Sequence, residues 1–447
     1  MKHITISKGL DLPLGGVAER TIDDKAVKNV GIIGDDYPGM KPTMLVNVGD
    51  RVIRGQALFT DKKNEGVTFT SPGCGEVTSI VRGAKRKFES LSIRLDGDEA
   101  EHFCEAGSSP ASFDAQALRE LLIKSGLWCA LRTRPYGKIP AIDTSPRALF
   151  ITAIDTNPLG ADMALIIDGG REDFLAGLTA LQTLIDCPVY LCVAADQTLF
   201  DQAPQGVEMV GFSGPHPAGL PSTHIHFLDP VGEGKTVWHI GAQDVIAVGT
   251  LLRTGTLPVN RIVALAGPGI ATPRHIRTQV GASLVDLSDG ERHEGEFRVI
   301  SGSVLDGRKL SETHQFLGRY HQQVSVIHED TGRQFFGWLM PGGDRFSVTR
   351  AFLSAFTKPA TLPLNTAVWG GDRAIYPAFT YEKVMPLDII PVYLLRSLMS
   401  GNTEKAKDLG CLELIEEDIA LCSYVCPGKN EFGPKLREVL TSIELEG

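Results

Sequence analysis

Between Ser112 and Pro258, apolar strand-like runs alternate with segments of helical periodicity. No other feature of the chain limits its possible folds so tightly. Parallel strands cannot be joined by a tight turn; the chain has to cross over, usually through a helix. Alternation of strand and helix therefore implies a largely parallel sheet with helices on its faces. "SFDAQALRELLIKSG" places Phe113, Leu118, Leu121 and Leu122 on one helical face, with Gly126 as a C-cap. "RALFITAID" (147–155) and "ADMALIID" (161–168) read as buried strands, "REDFLAGLTALQTLID" as a helix, and "CPVYLCVAA" (187–195) as a further strand. The expected unit is a Rossmann-like α/β domain over residues 106–257.

The flanking regions have a different texture. Residues 42–81, "PTMLVNVGDRVIRGQALFTDKKNEGVTFTSPGCGEVTSIV", alternate apolar and polar positions, with Gly49, Gly55, Gly73 and Gly75 in the turns. Residues 1–105 are therefore assigned to a β domain. After Pro258, "VNRIVALAGPGIATPRHIRTQVGASLVDL", "GEFRVISGSVLDG", "QVSVIHED" and "GRQFFGWLMPG" suggest short strands, giving a β-rich unit over 258–384. Residues 385–447 read as mostly helical. A length of 447 residues with 43% hydrophobic and 22% charged content suits such a multi-domain α/β protein. A net charge of −10 with no Lys/Arg run argues against a nucleic-acid partner. The longest apolar candidate, "DIIPVYLLRSLMSG" (388–401), is too short to span a bilayer and carries Arg396. The N-terminus lacks the apolar core of a signal peptide, and the eight cysteines are scattered as reduced thiols tend to be. The expectation is a cytosolic chain able to dock on a membrane partner.

The glycine-rich start resembles the barrel-sandwich fold of lipoyl and biotinyl carrier domains, through "VGDRVIRGQ" and "SPGCGEV". Lys62 and Lys63 lie near the hairpin tip where such carriers are modified, but the tip is longer than a carrier's, so a structural module is expected. The order of modules resembles the C subunit of the Rnf electron-transfer complex and the NADH-binding flavoprotein subunit of complex I. In detail the chain is most similar to the NqrA family, the A subunits of Na⁺-translocating NADH:quinone reductases, through "ISKGLDLPLGG", "LRTRPYGKIP", "VWHIGAQDVIAVG", "ALAGPGIATPRHIRT" and "YVCPGKNEFG". That resemblance implies a barrel-sandwich β-module, a Rossmann-like α/β domain, a β-grasp (SLBB-like) domain and a C-terminal helical domain. It implies a peripheral subunit on the cytoplasmic side of the bacterial inner membrane. Its partners would be five other subunits, chiefly the large membrane-embedded B subunit, and its substrate ubiquinone. FAD, FMN, riboflavin and Fe–S centres would sit on those partners and none on this chain. Its implied part is the reduction of ubisemiquinone to ubiquinol; the alternative is a purely structural docking subunit or, third, an active flavin- and NADH-binding chain.

One departure from the flavoprotein relatives carries most of this reading. Their loop after the first helix, like G-x-G-G-A-G-F-P-T-x-x-K, lets backbone approach flavin and nicotinamide phosphates. Here the stretch is "SGLWCALRTRPYGKIP" (125–140), with Trp128, Cys129, Leu131, Arg132 and Arg134 in the loop and Lys138 as the trailing lysine. Residues of this size leave no room for a dinucleotide. A quinone needs an apolar slot and one or two donors, so Trp128 and Tyr136 are candidate walls and Arg132, Arg134 and Lys138 candidate donors. The competing reading is that these side chains plug the old cavity or form a subunit interface.

The second departure is in "LCSYVCPGKNEFGP" (421–434). A ferredoxin-type run is C-x2-C-x2-C-x3-C-P. With Cys422 and Cys426 as its last two members, the first two fall on Glu416 and Ile419, and Cys411 lies upstream of the expected start. Cys411, Cys422 and Cys426 thus read as a degenerate Fe–S motif without a cluster, and a zinc site lacks a histidine after His328. Elsewhere, His224 and His226 in "STHIHF" would share one face of a strand, "AGPGIATP" (266–273) is a tight turn between strands, and "MALIIDGGRED" a strand-to-helix turn. "GFSGPHPAG" is no nucleophile elbow, so hydrolase chemistry has no support.

Overall fold

The computed structural model describes residues 1–197, 199–200, 202, 204–330, 332, 339–371, 373–376 and 379–446. The α/β module is built on a six-stranded sheet in the order Lys2–Thr5, Glu208–Ser213, Val189–Ala194, Leu149–Ala153, Val237–Gly241, Arg132–Arg134. All neighbours are parallel except the last pair. From Leu149–Ala153 the chain builds outward on one side and then returns to place Val237–Gly241 on the other. The strand order therefore reverses between these two strands, and their carboxyl ends open a crevice where such sheets bind ligands. The central strands are mostly apolar and largely buried, with Thr152 and His239 as their polar members, as suits strands covered on both faces.

Two segments expected as strands are helical. "MALIIDG" forms the helix Met163–Gly169, whose N-cap Asp162 accepts a hydrogen bond from the Leu165 amide at 3.0 Å. A short apolar run is ambiguous between a buried strand and a buried helix, and the capping aspartate decides it. "STHIHF" lies in the helix Pro221–Leu228, with proline at its first turn. His224 and His226 accordingly point apart. His224 is fully buried and contacts the Ala218 carbonyl, whereas His226 meets Glu413 at 2.7 Å.

The barrel-sandwich module pairs a four-stranded sheet (Asn29–Ile33, Phe88–Leu95, Gly75–Arg82, Arg51–Val52) with a three-stranded one (Pro42–Met44, Ala57–Asp61, Thr68–Thr70). Phe59 and Phe69 stack between them at 4.6 Å, and Lys62 and Lys63 are exposed on the turn beyond Asp61. A third, mixed sheet runs Arg308–Lys309, Phe297–Ser301, Gln323–His328, Asn260–Ala266, Arg274–Gln279, Glu19–Asp24. The "AGPGIATP" turn joins its antiparallel pair Asn260–Ala266 and Arg274–Gln279. The first twenty-four residues thus supply edge strands to two sheets formed later in the chain. Most of "GRQFFGWLMPG" lies outside the described residues.

The tail packs Pro391–Met399, Thr403–Asp408, Ala420–Val425 and Gly433–Glu446 around a core of its own that includes Leu395, Cys422, Phe432 and Leu440. Among the described residues no helix is long and apolar enough to cross a membrane.

Candidate functional site

The loop that replaces the glycine-rich run starts at Gly126, which ends the helix Ala115–Ser125 in the left-handed region at φ 79°. A Cβ at that position would lie 2.3 Å from Thr70 Oγ1, so both conformation and space demand glycine. Trp128 then turns inward. Its side chain is completely buried, packs edge-on against Trp238 at 5.5 Å, and donates its indole N–H to the Pro140 carbonyl at 2.9 Å. Burial pushes the neighbouring Cys129 thiol up to about 12.

The strand Arg132–Arg134 carries the loop onto the helical tail. Arg134 is fully buried; its Nε donates to Ser222 Oγ at 3.1 Å and its Nη2 to Glu417 at 3.0 Å. Desolvation lowers its guanidinium to about 10, against the opposing pull of Glu417. Tyr136 is half-buried at φ 77°, and its carbonyl accepts from Arg437 Nη1 at 2.6 Å. Arg437 also grips Glu416 through two bonds of 2.7 Å. Lys138 pairs with Glu444. Four of the five residues singled out from the sequence are thus committed to internal contacts.

Arg132 is the exception. Its guanidinium lies 4.5 Å above the Tyr320 ring, and its Nε is buried without a hydrogen-bond partner. Tyr320 donates to the Cys129 carbonyl at 2.8 Å and meets the Tyr37 ring edge-on at 6.3 Å. Tyr37 lines a small cavity of about 60 Å³ where the three modules meet. Its walls are largely apolar, including Ile32, Phe69, Leu127, Leu257, Val259 and Leu317, with Arg261, Asp244 and Arg319 as a charged edge. Asp244 Oδ1 takes Arg261 Nη2 at 2.7 Å and Arg319 Nη1 at 2.9 Å. Burial would raise the Asp244 carboxyl, but the two guanidinium groups outweigh it and hold it below the usual carboxylate range. Asp36 also lines the cavity, so two carboxylates face two arginines; Arg319 Nη1, though close to Asp244, has no hydrogen bond of good geometry.

None of Trp128, Arg132, Arg134, Tyr136 and Lys138 lines this cavity; Leu127 and Cys129 of the same loop do. Asp244 had a sequence signal, since it follows the glycine that closes the strand Val237–Gly241 at the reversal of strand order. Tyr37, Arg261 and Arg319 had none, because they come from three distant stretches of chain.

The cysteine tail does not fit an iron–sulfur cluster. Of the two positions that would complete the motif, Glu416 is held by Arg437 and Ile419 is fully buried in the tail core. Burial pushes Cys411 and Cys422 up to about 12. It also raises Cys426, but hydrogen bonds from Tyr381 Oη at 3.1 Å, Asn430 Nδ2 at 3.4 Å and the backbone at Gly428 and Asn430 outweigh it, so this thiol lies below its ordinary value.

Three modules close on one junction, with bulky side chains in the loop after the helix Ala115–Ser125; comparison with known proteins gives the class, the subunits of NADH-quinone reductases. The chain matches the families described as "NqrA N-terminal barrel-sandwich hybrid domain" over residues 4–96, "NqrA second alpha/beta domain" over 113–257 and "NQRA C-terminal domain" over 262–312. It is 51% identical to the A subunit of the Na(+)-translocating NADH-quinone reductase of Rhodopirellula baltica, over 99% of this chain and 98% of that relative. It is likewise 51% identical to the same subunit of Yersinia pestis, over 99% and 100%, and 52% to that of Saccharophagus degradans, over 99% and 100%. The chain belongs to the NqrA family, the A subunits of Na⁺-translocating NADH-quinone reductases, and so to a sodium-translocating oxidoreductase complex.

Proposed function

We propose that the chain serves this reductase as a peripheral subunit that binds ubiquinone and takes part in reducing ubisemiquinone to ubiquinol. The observation that carries this reading is the apolar-walled cavity at the three-module junction, with Arg319 at its charged edge. A quinone ring needs apolar walls and donors for its carbonyl oxygens. Phe69, Leu127 and Leu257 supply the walls; Tyr37 and Arg319 supply the donors. The semiquinone gains one electron and two protons to become the quinol, and positive charge near its oxygens favours the anionic form that is being reduced. Arg132 contributes through Tyr320, as a positioning residue behind the wall. Trp128, Arg134, Tyr136 and Lys138 keep the loop closed against the tail.

Because Trp128 fills the glycine loop and the cysteine positions are blocked, FAD, FMN, riboflavin and the iron–sulfur centre belong on partner subunits in this reading. The chain then docks at the cytoplasmic side of the membrane, chiefly on the large B subunit. A second reading, a purely structural role, draws on the Arg134–Glu417 and Lys138–Glu444 pairs, which make the loop a bolt between modules. Titration with a short-chain ubiquinone, of the purified chain and of the assembled complex, separates the two. Saturable binding that Arg319→Ala weakens supports the quinone reading. Failure of the folded wild-type chain to bind, both alone and within the complex, sinks it.

A further inference from the structure

A cleft of about 380 Å³ lies between the barrel-sandwich module and the third sheet. Arg54 and Asp96 to Asp98 line one wall, and Asp24, Lys25, Arg277 and Thr278 the other. Nearly every charge here is already paired. Arg277 Nη1 lies 3.0 Å from Asp24, Lys25 Nζ 2.9 Å from Glu291, and Asp96 3.1 Å from Arg51. Asp98 is exposed to solvent.

Arg54 is different. Its backbone is fixed, with its N–H donating to the Glu99 carbonyl at 2.9 Å and its carbonyl accepting from the Glu101 N–H at 2.8 Å. Its guanidinium makes no ion pair and no hydrogen bond among the described residues, and its Nε is buried without a partner. Thr278 also has a buried hydroxyl with no partner. Buried donors left unpaired are costly and call for an explanation. A planar guanidinium fork matches the oxygens of a phosphate or carboxylate better than any other common acceptor.

We propose that this cleft binds a small oxyanion, a phosphate or carboxylate group, with Arg54 as its principal ligand and Thr278 beside it. The inference does not rest on the quinone reading; Arg54 and Thr278 take no part in the first cavity, although Asn260 borders both openings.

The test is thermal unfolding of the full-length chain in sodium phosphate, sodium succinate and sodium chloride at matched ionic strength. Binding to the folded state alone raises the midpoint with ligand concentration. Wild type is expected to melt several degrees higher in phosphate or succinate than in chloride, and whichever salt acts identifies the group bound. Arg54→Gln is expected to lose that response while melting no lower than wild type in chloride, because it removes an uncompensated charge. Thr278→Val is expected to reduce the response. Equal midpoints of wild type in all three salts overturn the proposal. So does a full response in Arg54→Gln, which would mark a general salting-out effect. If Arg54→Gln does not fold by circular dichroism, Arg54→Lys decides: it keeps the charge and loses the fork, so a weakened response supports the site and an unchanged one rejects it.

Discussion

Arg134 and Glu417 meet at 3.0 Å, one from an edge strand of the α/β sheet and the other from the helical tail, with the arginine side chain wholly buried. Removing one partner of such a pair strands a buried charge, which costs about 3–5 kcal/mol. Glu417→Ala is therefore expected to lower the unfolding free energy by roughly the low end of that range, since Glu417 keeps some solvent contact. Chemical denaturation reads this directly. A change below about 0.5 kcal/mol would mean that Ser222 and His239, whose Nε2 meets Arg134 Nη1 at 2.5 Å, satisfy Arg134 on their own.

Trp128 makes the same junction from the apolar side. Trp128→Ala opens a cavity beneath Trp238 and leaves the Pro140 carbonyl with only its bond from Asn64, so a loss of about 3–5 kcal/mol is expected, and Trp128→Phe should lose clearly less. If the alanine variant is nearly as stable as wild type, the loop is not the plug that its geometry indicates.

Acid should destabilise the α/β module through its buried histidines. Burial depresses His224 to about 3 and His216 to about 4, from an ordinary value of 6.5. Below 6.5 the unfolded chain binds protons that the folded chain refuses, so stability is retained above that pH and falls as pH drops toward 4. The loss from His224 alone approaches roughly 3 kcal/mol between pH 6.5 and 4. Stability measured against pH should have a steep acid limb, and His224→Phe, which keeps the ring beside Phe212 at the 4.3 Å contact, should flatten it. An unaltered limb would assign the effect to other groups.

Much of this arrangement is legible in the chain because its signals are local. Alternating apolar residues mark the barrel-sandwich strands, and the "AGPGIATP" turn joins two strands as expected. "MALIID" misleads because a five-residue apolar run fits either a strand or a buried helix, and only Asp162 at its start tips the balance. The replaced loop is visible from Trp128 and Arg132, yet the ion pairs that occupy Arg134 and Lys138 join residues about three hundred positions apart. The cavity edge is hidden for the same reason: Tyr37, Asp244 and Arg319 meet only because three modules close on one another.

The cavity itself gives the sharpest prediction. Ala247 lines it from the helix Ala242–Thr254 and is only partly buried. Ala247→Phe would place a ring in the space that a quinone head group needs, one turn along the helix from Asp244. The fold should survive, since filling a void costs less than crowding a packed core. Binding of a short-chain ubiquinone to this chain should fall by at least about tenfold, the equivalent of about 1.4 kcal/mol. Arg319→Lys keeps the charge but loses the planar donor, so it should weaken binding less than Arg319→Ala. Wild-type affinity in a folded Ala247→Phe variant would place the quinone elsewhere, and the crevice beside Arg132 would be the next position to block.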